Sequence, residues 1–167
     1  LAGTAVFSID NWDEKVSDQL SEETPVFGSN EAAGDASSDL KNVLTVINLG
    51  TALATPSGDT AEVWIPSKLK GLAVLAAASG VTSMVTDYTK EETERLRPDG
   101  SDRRSFPSGH TSSAYASATL ASRNINSLQL SESSRRVLRY TFKGMAAATA
   151  WARVEANRHY PSDVLFA

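Results

Sequence analysis

Ser105-Phe106-Pro107-Ser108-Gly109-His110-Thr111 carries one of the two histidines of a chain that has no cysteine. Pro107 suits the first turn of a helix, and Ser108 and Gly109 bring small side chains and free backbone N–H groups. The apolar and small residues from Thr111 to Ser122 then continue at helical spacing. A helix that starts this way aims its N–H donors and the positive end of its dipole at one point, which makes it a ready anion site. Taken alone the stretch is ordinary helix-start chemistry with a surface histidine. The residues on either side decide between the two readings.

The surrounding chain reads as helical throughout. Leu40, Val43, Leu44, Ile47 and Leu49 fall close to i, i+3, i+4, i+7 spacing, and Thr55 to Asp59 stops that helix. Pro66 is expected to open the next one, which runs from Leu69 to about Glu94. Arg97-Pro98-Asp99-Gly100 is a turn, because proline presets one dihedral and glycine supplies another. The helix starting near Pro107 ends near Ser122. Ser131 caps a further helix from Glu132 to about Ala156, and Pro161 starts the last. With no period-2 alternation and no internal repeat, the fold class is all-α, a helical bundle, and the candidate anion site is expected between helix termini.

At 167 residues one domain is expected, and the formal charge of -4 argues against a nucleic-acid partner. Residues 1–39 form an acidic arm packed on the domain, in which Asp10, Asp13, Glu14, Asp18, Glu22, Glu23, Glu31, Asp35 and Asp39 face only Lys15. Phe7, Ile9, Trp12, Val16 and Leu20 make one short amphipathic element there, and Gly28 to Gly34 reads as loop. The arm is expected to be solvated, with a regulatory or partner-binding role as the alternative. Residues 40–167 form the main domain. The chain begins at Leu1 and stops within the apolar run Val164 to Ala167, so a longer native polypeptide is expected. Leu69 to Val85 is interrupted by Lys70, Ser79, Thr82 and Ser83 and reads as a buried core helix rather than a membrane span. Membrane contact would then be peripheral.

Chemistry gathers in three places. Lys90 and Arg97 lie two helical turns apart, and Pro98 holds Arg97 out of regular helix. Ser108-Gly109-His110 forms the centre. Arg153 is followed by His159 and Asp163, and a helix starting at Pro161 puts the Asp163 carboxylate where it can hydrogen-bond back to the imidazole.

In order and spacing, these segments resemble the signature of the type 2 phosphatidic acid phosphatase superfamily. Its pattern is Lys, six residues, Arg-Pro; then Pro-Ser-Gly-His; then Ser-Arg, five residues, His, three residues, Asp. The match spans Lys90 to Asp163, with Ala152 in place of the usual Ser. That departure removes a possible phosphate-contacting hydroxyl. The resemblance implies a phosphate clamp of Lys90, Arg97 and Arg153, completed by Ser108 and the Gly109 backbone. It makes His159 the nucleophile, through a phosphohistidine intermediate, and Asp163 the residue that holds its tautomer. His110 is then the acid for the leaving group and the base for water. It requires no metal or other cofactor, and vanadate or phosphate would occupy the site.

The run from Arg97 to His110 looks most like bacterial membrane-associated phospholipid phosphatases. The substrate implied is therefore a phosphomonoester, a lipid phosphate before a sugar phosphate or nucleotide, in a periplasmic or secreted setting. A non-specific acid phosphatase is the near alternative. A vanadium haloperoxidase-like enzyme and a non-catalytic phosphate-binding module are further ones. A metal site built from two histidines and a carboxylate fits poorly, since three cations beside it would repel the ion.

Overall fold

The computed structural model of the chain describes residues 12–23 and 25–167. Among them there is no strand. The elements are α1 (Trp12–Asp18), continued by a π-helical turn over Gln19–Glu23, then α2 (Asn30–Ala54), α3 (Ala61–Thr93), α4 (Gly109–Asn124), a 3-10 turn at Ile125–Ser127, α5 (Glu132–Glu155) and α6 (Pro161–Leu165). The all-α bundle expected from the sequence is the observed fold. Phe7 and Ile9 of the expected amphipathic element lie outside the described residues.

Two boundaries differ from expectation for identifiable reasons. Ser29 caps α2 by accepting from Ala32 N at 3.1 Å, so the helix starts ten residues before Leu40 and takes in the stretch read as loop. Pro66 does not open α3 but sits inside it, five residues after the start. Its missing N–H costs one bond to the Glu62 carbonyl, close to an end where the first four donors are unpaired in any case. Ser131 caps α5 as expected, accepting from Ser134 N at 3.1 Å.

α4 is the central helix. Thr111, Ala114, Ala118, Ala121 and the following Ile125 are buried at alternating spacings of three and four, so one face of α4 meets α2 and α5. Leu44, Phe142 and Ala146 complete the core, with Ile47, Leu138 and Met145 packed against it. Small side chains on α4 let the helices approach closely. Leu44 has no exposed surface, and truncating it to Ala costs roughly 2–5 kcal/mol.

Many of the large apolar residues point outward instead. Val43 and Leu49, expected in the core, are exposed, as are Val137 and Trp151 of α5. α3 departs furthest from expectation: among its residues only Lys68, Thr86 and Lys90 are buried. It is not a buried core helix. It is long and apolar enough to cross a membrane, and only 6% of its most apolar 18 residues is buried.

Successive long helices run in opposite directions. The N-terminal ends of α2 and α4 and the C-terminal ends of α3 and α5 therefore meet at one end of the bundle, where α6 and α1 close over them. All three motifs lie at that end.

Candidate active site

His159 follows α5 after a reversal in which Asn157 adopts a left-handed φ of 55° and Arg158 N returns to the Arg153 carbonyl at 3.2 Å. The ring is 2% exposed, and its Nδ1 lies 2.7 Å from the Ser105 carbonyl oxygen. A carbonyl only accepts, so Nδ1 carries the proton and the lone pair is on Nε2. Asp163 Oδ2 stands 3.6 Å from the same Nδ1, close enough for a charge interaction but too far for a hydrogen bond. The tautomer is thus set by the Ser105 backbone, and Asp163 acts on the ring through its field. Burial, chiefly, lowers the His159 pKa to about 4, with Arg153 and Lys90 adding to the effect and Asp163 opposing it.

Asp163 has no exposed surface, and both its oxygens are taken. Oδ1 accepts from Arg95 NH1 at 2.6 Å; Oδ2 accepts from Tyr160 N at 2.8 Å, capping α6, and from the Ser105 hydroxyl. Burial alone would raise its pKa, but the neighbouring His159, the Ser105 hydroxyl, Arg95 and the Tyr160 N–H together hold it below the usual carboxylate range. Arg95 also donates to Asp13 Oδ2 at 2.8 Å and lies 4.2 Å from the Tyr160 ring centroid. Asp13 in turn accepts from Ser162 N at 3.0 Å and from the Ser162 hydroxyl. This acid was expected among the solvated charges of the arm; at 4% exposure it is part of the support behind the histidine.

The cations come from three elements. α3 ends when Glu94 takes a left-handed φ of 43° and returns its N–H to the Lys90 carbonyl, so Arg97 lies in the loop beyond and not on the same helix face as Lys90. Lys90 is 7% exposed and donates to the Arg104 carbonyl at 2.5 Å. Arg97 donates through Nε to Asp102 at 2.7 Å and through NH1 to the Arg158 carbonyl at 3.4 Å, which ties the first motif to the third. Arg153, 8% exposed, donates to Ser37 Oγ at 3.4 Å, and its Nε is buried with no partner among the described residues. Crowding of like charge shows in its pKa, which burial and then Arg97 and Arg158 lower to about 10.

Ser108 N donates to the Asp163 carbonyl at 3.0 Å, joining the second motif to the third. α4 starts at Gly109, with Ser108 as its cap and Pro107 outside the helix. Ser108 is fully buried; its Oγ accepts from Thr111 N at 3.4 Å and Thr111 Oγ1 at 3.0 Å. Ser112 N returns to the Ser108 carbonyl, so of the four donors in the first turn those of Gly109 and His110 remain for an anion. Gly109 backs onto α3, where an added Cβ would meet Thr86 Cγ2 at 3.6 Å and Lys90 Cε at 4.0 Å.

His110 Nε2 stands 3.4 Å from Ser38 Oγ, whose own proton goes to the Gly34 carbonyl at 3.2 Å. Burial, then Arg153, Lys41, His159 and Arg97, lower its pKa to about 4. Hydrogen bonds among the three motifs therefore bring Lys90, Arg97, Ser108, Gly109, His110, Arg153, His159 and Asp163 together at one end of the bundle. Ser105, Arg95, Asp13 and the α2 serines Ser37 and Ser38 were not foreseen. Ser105 stands inside the quoted motif, but its role rests on a backbone carbonyl, which no residue type announces.

A family model, described as the PAP2 superfamily, matches residues 69–167. Lipid A 1-phosphatase of Porphyromonas gingivalis is 39% identical over 105 residues, covering 59% of this chain and 21% of that protein. The chain thus spans about a fifth of the length of that curated relative. The crystal structure of a transmembrane PAP2 type phosphatidylglycerolphosphate phosphatase from Bacillus subtilis superposes with a TM-score of 0.70 at 22% identity, covering 96% of this chain and 81% of that one, a likeness of fold. The family match takes in more than half of the chain and contains every residue of the three motifs, and on that ground the chain belongs to the PAP2 superfamily.

Proposed function

We propose that this chain hydrolyses a phosphomonoester without a metal, and that its substrate is a lipid phosphate presented at a membrane. The observation that carries the reading is Arg153: a nearly buried guanidinium with an unpaired Nε, beside a neutral histidine whose Nε2 lone pair is unprotonated. Burying a cation with an unmet donor is costly unless an anion completes it. Arg153, Arg97, Lys90 and the N–H groups of Gly109 and His110 grip the equatorial phosphoryl oxygens and oppose the charge that develops there.

His159 Nε2 attacks phosphorus, the bond to the ester oxygen breaks, and that oxygen leaves with a proton from His110. The imidazole acquires positive charge, which the Ser105 carbonyl and Asp163 stabilise. His110 then takes a proton from water, whose oxygen displaces His159 and releases inorganic phosphate. A histidine with a pKa near 4 is a poor proton carrier in the anion-free site. A bound phosphate dianion offsets Arg153, Lys41 and Arg97, and so raises the His110 pKa towards the range its role needs. Both Asp163 oxygens already accept hydrogen bonds, which disfavours this carboxylate as a metal ligand.

The lipid preference draws support from the relatives, whose names specify lipid phosphates, and from the exposed apolar length of α3.

The deciding experiment is hydrolysis of a panel of lipid phosphates, sugar phosphates and nucleotides, with EDTA and with vanadate. Activity that survives EDTA, falls with vanadate and is highest on lipid phosphates is expected. Loss on chelation with recovery on added zinc refutes the metal-free mechanism. A preference for soluble esters makes this a non-specific acid phosphatase.

A further inference from the structure

At the end of the bundle away from the site, a cavity of about 290 Å³ opens between α2, α3 and α4. Along α2 its wall residue Ala52 lies fourteen residues from Ser38, about 21 Å along the axis, so this cavity is remote from the candidate active site. Its walls carry two cations, Lys70 and Arg123, and no carboxylate. Neither cation has an ion-pair partner among the described residues, whereas Arg97, Arg104, Arg135, Arg139 and Arg158 each have one. Lys68, close by, is already engaged, donating to the Leu53 carbonyl at 2.5 Å and to that of Thr55.

The walls change character along α3. Lys70 stands where the apolar part of the helix begins, and one turn further Val74 and Leu75 line the same cavity, Val74 being exposed. A ligand that fits both ends has an anionic head and an apolar tail running along α3. Gly71 leaves the room between them, since a Cβ there would meet nothing within 4 Å.

We infer that the cavity lined by Lys70 and Arg123 binds the phosphate headgroup of an anionic phospholipid from the leaflet opposite the catalytic site. Basic pockets between membrane helices are suited to such heads. The volume accommodates a headgroup and not a whole lipid, so the acyl chains remain in the bilayer. The inference rests on the membrane reading of α3.

The test uses the full chain in phosphatidylcholine nanodiscs with increasing phosphatidylglycerol, reading the thermal unfolding midpoint. The wild type is expected to gain stability and to saturate at a phosphatidylglycerol fraction roughly thirtyfold lower than Lys70→Ala/Arg123→Ala requires. Gly71→Phe, which fills the cavity and keeps both charges, is expected to lose the response, and His159→Ala to retain it. An undiminished response in both cavity variants overturns the inference, as does its loss in His159→Ala, which would assign the lipid to the catalytic site. Equal stabilisation by inorganic phosphate, dependent on Lys70 and Arg123, would make this a free-anion site and overturn the lipid assignment. A chain that does not insert into the discs overturns the membrane reading together with this inference; one that inserts but does not distinguish the two lipids overturns the inference alone.

Discussion

Asp163→Asn separates the two ways in which a carboxylate can assist a nucleophilic histidine. If Asp163 held the tautomer, the amide would scramble it and leave the wrong nitrogen protonated. Here Nδ1–H is held by the Ser105 carbonyl at 2.7 Å, which the substitution leaves in place, while Asp163 acts from 3.6 Å through its charge. Two unit charges at that separation interact by about 4.6 kcal/mol at an effective dielectric of 20, which is the ceiling on what the variant can lose. Arg95 shares the carboxylate, and the amide retains a dipole, so about 2 kcal/mol is a reasonable floor. Formation of the phosphoenzyme should therefore slow by between roughly thirtyfold and two-thousandfold. The assay is the phenolate burst from a p-nitrophenyl ester in single turnover, followed across pH. His159 must be neutral to attack, so the rate falls as pH drops through its pKa of about 4. Removing a group that raises this pKa moves the acid limb to lower pH. A burst rate within threefold of wild type, or an acid limb displaced upward, would refute the charge role. A loss beyond ten-thousandfold would mean that the Ser105 carbonyl does not hold the tautomer.

Binding of vanadate should be coupled to protonation of His110, whose pKa of about 4 in the anion-free site rises when the anion offsets its cationic neighbours. Between the two values affinity increases as pH falls, and calorimetry in buffers of different ionisation enthalpy should record proton uptake that His110→Ala abolishes. In single turnover, His110→Ala should slow the burst far less for a p-nitrophenyl ester than for an alkyl phosphate, by a margin of roughly 10²–10⁴-fold, whereas His159→Ala should remove it for both. Arg95→Ala leaves two buried carboxylates, Asp13 and Asp163, without their cation, and should cost roughly 3–5 kcal/mol in denaturant unfolding. Asp13→Asn, which removes only one of them, should cost less and leave the Asp163 pair with Arg95 intact.

The eight candidate site residues are legible because phosphoryl chemistry restricts residue types and spacings, and all of them lie in three short segments. Their support was not. Arg95 stands two residues from Arg97, but nothing local distinguishes it, and its partner Asp13 is 82 residues away. Helix positions could be read from periodicity, but the core could not. Val43, Leu49 and Val137 look like core residues by hydropathy, yet the helices meet through Ala114, Ala118 and Ala121. Hydropathy ranks a side chain by its dislike of water, and that ranking identifies the interior only when water is what surrounds the fold. The early start of α2 is not legible because Ser29 between Gly28 and Asn30 has the chemistry of a loop, and the same chemistry caps a helix.

Asp13 binds Arg95 and, 149 residues further on, Ser162. During synthesis on the ribosome α1 emerges long before α6, and α3 must be in place between them. The candidate site is therefore assembled only when the third motif leaves the exit tunnel and meets a helix made 149 residues earlier. Until then His159, Asp163 and the cations around them do not exist as a unit.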